Sequence, residues 1–61
     1  MTLKNLLELF VENIEIAFNY NSRLFLFHKK SQLENSATRS NLIDCEIKKY
    51  CITDNTLYIF M

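Results

Sequence analysis

The sequence contains no glycine and no proline. Both common nucleotide-binding fingerprints, the phosphate loop and the dinucleotide-binding turn, need glycine where backbone approaches phosphate, so both are excluded. Turns have to be made by Asn, Asp and Ser, which tolerate tight or left-handed geometry. Neither sign of charge is in excess. Seven basic residues balance seven acidic ones, whereas a dedicated nucleic-acid binder usually carries a basic surplus. No apolar run approaches the roughly 18 residues that would span a bilayer. The opening TLKNLLELFVENIEI carries acids through its apolar part and lacks a small-residue cleavage site, unlike a secretory leader. The expectation is a soluble, cytoplasmic protein that does not engage membranes.

Residues able to carry chemistry are also few. The single histidine, His28, falls on an expected strand face with Leu24 and Leu26. Acid–base or nucleophilic catalysis needs a second positioned group, and none is visible, so His28 reads as a structural or surface residue. Cys45, Cys51 and His28 make a poor metal set, because zinc sites usually use closely spaced Cys pairs and four ligands. On one extended segment, Cys45 and Cys51 would lie about 20 Å apart, far beyond the roughly 7 Å that a disulfide tolerates. Two reduced, partly buried thiols are expected, in keeping with a cytosolic protein. No catalysis, no metal and no cofactor are expected.

What is present is apolar surface. Of 61 residues, 49% are hydrophobic, and three Tyr and five Phe make eight aromatics. That is too much for a disordered chain. It is also hard to hide in one domain of this size, which buries only about 60% of the surface its unfolded chain exposes. Small domains usually add disulfides, a metal or a partner chain. A single domain over 1–61 that associates with copies of itself is therefore expected.

Along the chain, Leu3, Leu6, Leu7 and Phe10 share one helical face, which predicts a helix over 2–12. Thr2 stands as its N-cap, and Asn5 occupies the place of the Glu or Gln that would complete a capping box. Residues 14–19 change to period two. With Asn21 and Ser22 as the turn, the returning strand 23–29 places Phe25 opposite Phe18 and Phe27 opposite Ile16, an apolar cross-strand cluster in which Phe18, Phe25 and Phe27 are expected to be buried together. Residues 30–41 are polar and read as a loop with at most one helical turn. Ser40 to Ile43 reads as another short turn. Strands 46–52 and 56–60 form a last hairpin around Asp54–Asn55. The fold class is α+β: an N-terminal helix followed by two hairpins in a small antiparallel sheet, ordered αββ, loop, ββ.

The segments LFLF (24–27) and LYIF (57–60) are apolar on both faces. One helix of about three turns cannot cover both sides of a sheet, so such strands point to a chain–chain interface, most simply a two-fold dimer. Leu24, Leu26, Leu57, Tyr58, Ile59 and Phe60 are its candidate residues. The acids Glu8, Glu12 and Glu15 read as a solvated face. The basic pairs Lys29–Lys30 and Lys48–Lys49 read most simply as guards of strand edges against aggregation. An alternative remains open. If the hairpins lie side by side, both pairs could meet one phosphate-bearing ligand, with Arg23 or Arg39 adding a bidentate fork and Tyr50 and Tyr58 offering stacking surfaces.

The opening MTLKNLLELFVENIEI and the closing LIDCEIKKYCITDNTLYIF together give a frame. It resembles short proteins encoded by phages and mobile elements of Firmicutes, in which a helix leads into a hairpin and a closing strand, Asp-Asn-Thr and a last strand follow a pair of aliphatic residues. The resemblance covers 1–18 and 42–60, about 60% of the chain. Small proteins of that kind include anti-CRISPR and other anti-defence factors, some with a sheet that oligomerises. The resemblance implies a non-catalytic inhibitor that works inside a bacterial host cell, as a homo-oligomer, by binding a bacterial defence protein. It implies no site residues. The alternative is a small module that binds nucleic acid or a nucleotide signal through the lysine pairs.

Overall fold

A computed structural model describes all residues from Met1 to Met61. The element order is α1 (Leu3–Leu7), β1 (Glu15–Tyr20), β2 (Arg23–Phe27), α2 (Lys30–Arg39), β3 (Lys49–Thr53) and β4 (Thr56–Phe60). The four strands form one sheet in the order β2-β1-β4-β3. It is a small α+β fold, but the sheet is mixed. The two hairpins are antiparallel as expected, while β1 and β4 pair in parallel.

That parallel pair and the second helix have one cause. A parallel connection needs a crossover of a dozen or more residues, usually helical. Residues 30–41, expected as a loop, supply it as the ten-residue helix α2. Its apolar stripe is only Leu33 and Ala37, both buried, too narrow to stand out in a polar segment. Its N-cap residue, Lys29, provides no side-chain cap. The cap comes instead from Glu12, nineteen residues before Ser31. The Glu12 carbonyl accepts from Lys30 N–H (2.9 Å), its carboxylate accepts from Ser31 N–H (3.1 Å), and the Ser31 hydroxyl donates to the same carboxylate. A negative charge and an acceptor thus sit at the positive end of the helix. At the other end Asn41 takes φ 59°. Leu42 N–H then reaches Ala37 O (2.8 Å) and Asn41 N–H reaches Thr38 O (3.3 Å), a Schellman stop made with Asn in place of glycine. Glu12→Ala should lower stability by about 1–2 kcal/mol, read as a lower urea midpoint with an unchanged slope; an unchanged midpoint would show that α2 does not depend on this cap.

Helix α1 is shorter than its apolar pattern predicts. Thr2 caps it, its hydroxyl oxygen accepting from Asn5 N–H (3.1 Å). The otherwise free N–H groups of Leu3 and Lys4 are met by the carbonyls of Cys45 and Ile43. After Leu7 the bonds tighten to Leu9 N–H on Leu6 O and Phe10 N–H on Leu7 O, the 3₁₀ spacing that often ends a helix. The chain then turns away, leaving Leu9 and Val11 exposed and bringing Glu12 to α2.

Both hairpin turns have two central residues at positive φ: Asn21 (56°) and Ser22 (64°), then Asp54 (53°) and Asn55 (59°). Two such residues match the right-handed twist of the flanking strands. They also fix the register. Phe18 stands opposite Phe25 and Ile16 opposite Phe27, as the alternation predicts. Burial of the three phenylalanines is where the expectation fails. Phe18 is buried and Phe27 half-buried, but Phe25 is 40% exposed, because β2 is an edge strand.

The core is one cluster. Leu3, Leu6 and Leu7 from α1 and Leu33 and Ala37 from α2 close over Ile16 and Phe18 of β1 and Leu57 and Ile59 of β4. Both helices lie on this one side of the sheet, and the last strand is an interior one, paired on both edges. The cysteines are free, as expected, but both are exposed rather than partly buried. Cys45 lies before β3 and not on it.

Candidate functional site: the uncovered sheet face

Side chains alternate across a strand, so the residues between the core positions point to the side without helices. The register lines them up in rows. Leu26, Ala17, Tyr58 and Cys51 form one row across β2-β1-β4-β3, and Leu24, Asn19, Phe60 and Lys49 form the next. Leu24 is 58% and Leu26 68% exposed, and Tyr58 and Phe60 are half-buried. Ala17 is buried although no helix lies above it, since its methyl is shaded by the larger Leu26 and Tyr58 on either side.

Polar groups frame this band. At one end the Glu15 carboxylate lies 2.8 Å from His28 Nδ1, an exposed pair of small energetic weight. At the far corner the Lys49 ammonium sits 4.9 Å from the centroid of the Phe60 ring, a cation–π contact worth about 0.5–1 kcal/mol at an exposed site. Inside the band, between Leu24 and Phe60, Asn19 donates from its side-chain amide to the Ile59 carbonyl (3.4 Å).

The six expected interface residues therefore divide. Leu24, Leu26, Tyr58 and Phe60 do share the uncovered face. Leu57 and Ile59 have no exposed surface and belong to the core on the other side. LYIF is apolar on both faces because the strand is interior, one face packing on the helices. LFLF is apolar on both faces at an edge.

The basic residues do not converge. Lys49 pairs with Phe60, and Phe60 with Asn19, whereas Phe27, two residues before Lys29, pairs with Ile16. Ile16 and Asn19 are three positions apart, about 10 Å along the strand, and Lys29 lies beyond that, on the opposite edge. The Lys30 ammonium is already engaged with the Phe10 carbonyl (3.1 Å). Arg39 is at the end of α2 beside Asn35 and Thr38. Arg23 shares the Lys49 end of the sheet but stands on β2, three strand spacings or about 14 Å away. Lys48 and Lys49 alone border an open depression of about 430 Å³ with Asn19, Asn21 and Phe60. The tyrosines are also split: Tyr58 is on the uncovered face, and Tyr50, paired with Ile59, is on the other.

There is no group of three His, Cys, Asp or Glu side chains that could hold a metal ion, and no helix is long and apolar enough to cross a membrane. Comparison with protein-family models, with curated proteins and with solved structures finds no match.

Proposed function

We propose that this chain is a non-catalytic inhibitor of the anti-defence type, acting as a homo-oligomer that binds a bacterial defence protein through its uncovered sheet face. The observation that carries the binding role is the apolar band of Leu24, Leu26, Tyr58 and Phe60, left open on a sheet whose other face is packed by the helices over β1 and β4. Contiguous exposed apolar surface rimmed by polar groups is the usual mark of a protein-binding site. The anti-defence role rests on the resemblance of residues 1–18 and 42–60 to small phage-encoded proteins.

The test is phage plaquing on bacterial hosts carrying individual CRISPR–Cas and other defence systems, with the chain expressed in each. Rescue of plaquing is expected against at least one system. Tyr58→Lys, which places a charge at the centre of the face, should abolish rescue while leaving the circular dichroism spectrum unchanged. Failure of the wild-type chain across the panel, or full rescue by a folded Tyr58→Lys variant, would overturn the reading. A second reading has one observation in its favour, the depression beside Lys48 and Lys49. It requires micromolar binding of a nucleotide or oligonucleotide that is lost in Lys48→Ala/Lys49→Ala. Lys49 already occupies the Phe60 ring face, which weighs against base stacking there.

A further inference from the structure

The two edges of the sheet are guarded differently. Strand β3 begins at Lys49 and is preceded by Lys48, the kind of residue that blunts an edge. Strand β2 has the sequence RLFLF. From Leu24 to Phe27 it contains no charge and no proline, and Leu24, Phe25 and Leu26 are all exposed. An unguarded, regular, apolar edge is a template for another strand.

The hairpin geometry says which groups that edge offers. In a two-residue hairpin the pair flanking the turn, here Tyr20 and Arg23, exchanges hydrogen bonds. Phe25 and Phe27 then bond inward to β1, and Leu24 and Leu26 direct their N–H and C=O groups outward. The next outward donor, His28 N–H, is already taken by the Gln32 side chain (2.9 Å), so the free stretch is confined to Leu-Phe-Leu. That triplet is its own mirror in sequence.

We propose that β2 pairs antiparallel with β2 of a second copy about a two-fold axis through Phe25, giving one continuous eight-stranded sheet. This rests on the homo-oligomer of the proposed function and names its seam. In this register Leu24 faces the partner copy's Leu26, and Leu26 its Leu24, both as hydrogen-bonded pairs, so the outward groups of the two leucines in each chain are satisfied by four main-chain bonds. Phe25 meets its own copy as a non-hydrogen-bonded pair, where side chains approach most closely. Arg23 comes opposite Phe27, placing a guanidinium beside an aromatic ring at each end of the seam. The contact is isologous and closes at two chains. The alternative edge contact, β2 on β3 of the next copy, would not close and would place the apolar strand against the lysine-bearing one. A seam of one strand buries less than the roughly 800 Å² per partner of a standard interface, so the dimer is a micromolar one. Its uncovered faces join into one surface, with the leucines of both copies at its middle.

Two measurements on the full chain test the seam. In light scattering over the micromolar range, the wild-type mass should rise from 7.3 kDa toward twice that value. Leu26→Pro deletes one outward N–H per chain, a change an edge strand tolerates. It should weaken the dimer about tenfold or more while the circular dichroism spectrum is kept. The second measurement uses a background with Cys45→Ser and Cys51→Ser. Phe25→Cys should oxidise to a covalent dimer in a glutathione buffer, because its Cα atoms would be about 4.5 Å apart across the axis. Leu26→Cys should not, its Cα atoms being about 8–9 Å from their copies. A dimer that keeps its affinity in folded Leu26→Pro, or that cross-links no better through position 25 than through 26, would overturn the seam and leave the oligomer standing. A wild-type chain that stays monomeric across the range would overturn both.

Discussion

A chain lacking residues 57–61 should not fold. These residues hold nearly all of β4, which lies between β1 and β3 and is hydrogen-bonded to both. Removing them leaves β3 with no neighbour and opens an edge of β1 that the native fold keeps paired. It also removes Leu57 and Ile59, two of the seven largest fully buried side chains. Burial of a large apolar side chain contributes about 1.5–3 kcal/mol, so these two approach the whole stability of a 61-residue domain, about 3–9 kcal/mol. The expected result is loss of β-type circular dichroism and expansion from the full chain's radius of gyration of 10.2 Å toward about 22 Å, the scale of an unfolded chain of the truncated length. Small-angle scattering measures that directly. A compact truncated chain would mean that β1 and β3 can close on each other without the strand between them.

Ile59→Ala should be nearly as damaging with only three carbons removed. Ile59 has no exposed surface, stands opposite Phe18 of β1 and Tyr50 of β3, and belongs to the cluster formed with both helices. No single neighbour can collapse into the space without leaving its own contacts. Substitutions of this kind cost about 2–5 kcal/mol, which takes most or all of the stability available. The variant should melt at or below room temperature. Phe25→Ala is the informative control. The alternation of the sequence places Phe25 in the core with Phe18 and Phe27. The structure leaves it 40% exposed on the edge strand, and its removal should cost less than half as much as removal of Ile59. Thermal melts of the two variants side by side rank the sites, and equal losses would mean that β2 is as deeply packed as β4.

Much of the local structure is legible in the amino-acid order. Period two over 14–19 and 23–29, with Asn-Ser between them, is enough to place both strands, their turn and their register, because a two-residue loop leaves no freedom in the pairing; the far end differs, the second strand stopping at Phe27 where His28 and Lys29 lead into α2. The turn at Asp54–Asn55 and strand 56–60 are legible in the same way, as is Thr2 at the start of α1, although the strand expected over 46–52 runs Lys49–Thr53. All of these depend on residues within a few positions of one another. Helix α2 does not. Its stripe is two residues wide, and the group that caps it, Glu12, is remote in sequence. Without that helix the crossover is invisible, and with it the parallel pairing of β1 and β4.

The candidate site was half legible for a related reason. Alternation says which residues share a face: Leu24 with Leu26, Tyr58 with Phe60, Leu57 with Ile59. It does not say which face the helices cover, nor which strand lies inside the sheet. LFLF and LYIF look equivalent as sequence. Tertiary structure separates them, packing Leu57 and Ile59 under α1 and α2 and setting β2 at the rim with Leu24, Phe25 and Leu26 exposed. It also sends the two lysine pairs to opposite ends and edges of the sheet, because the helical crossover turns the second hairpin so that β4 runs alongside β1. Face membership follows from covalent geometry at each residue. Strand order follows from where a distant helix can dock its leucines, a matter of packing among segments far apart in the chain.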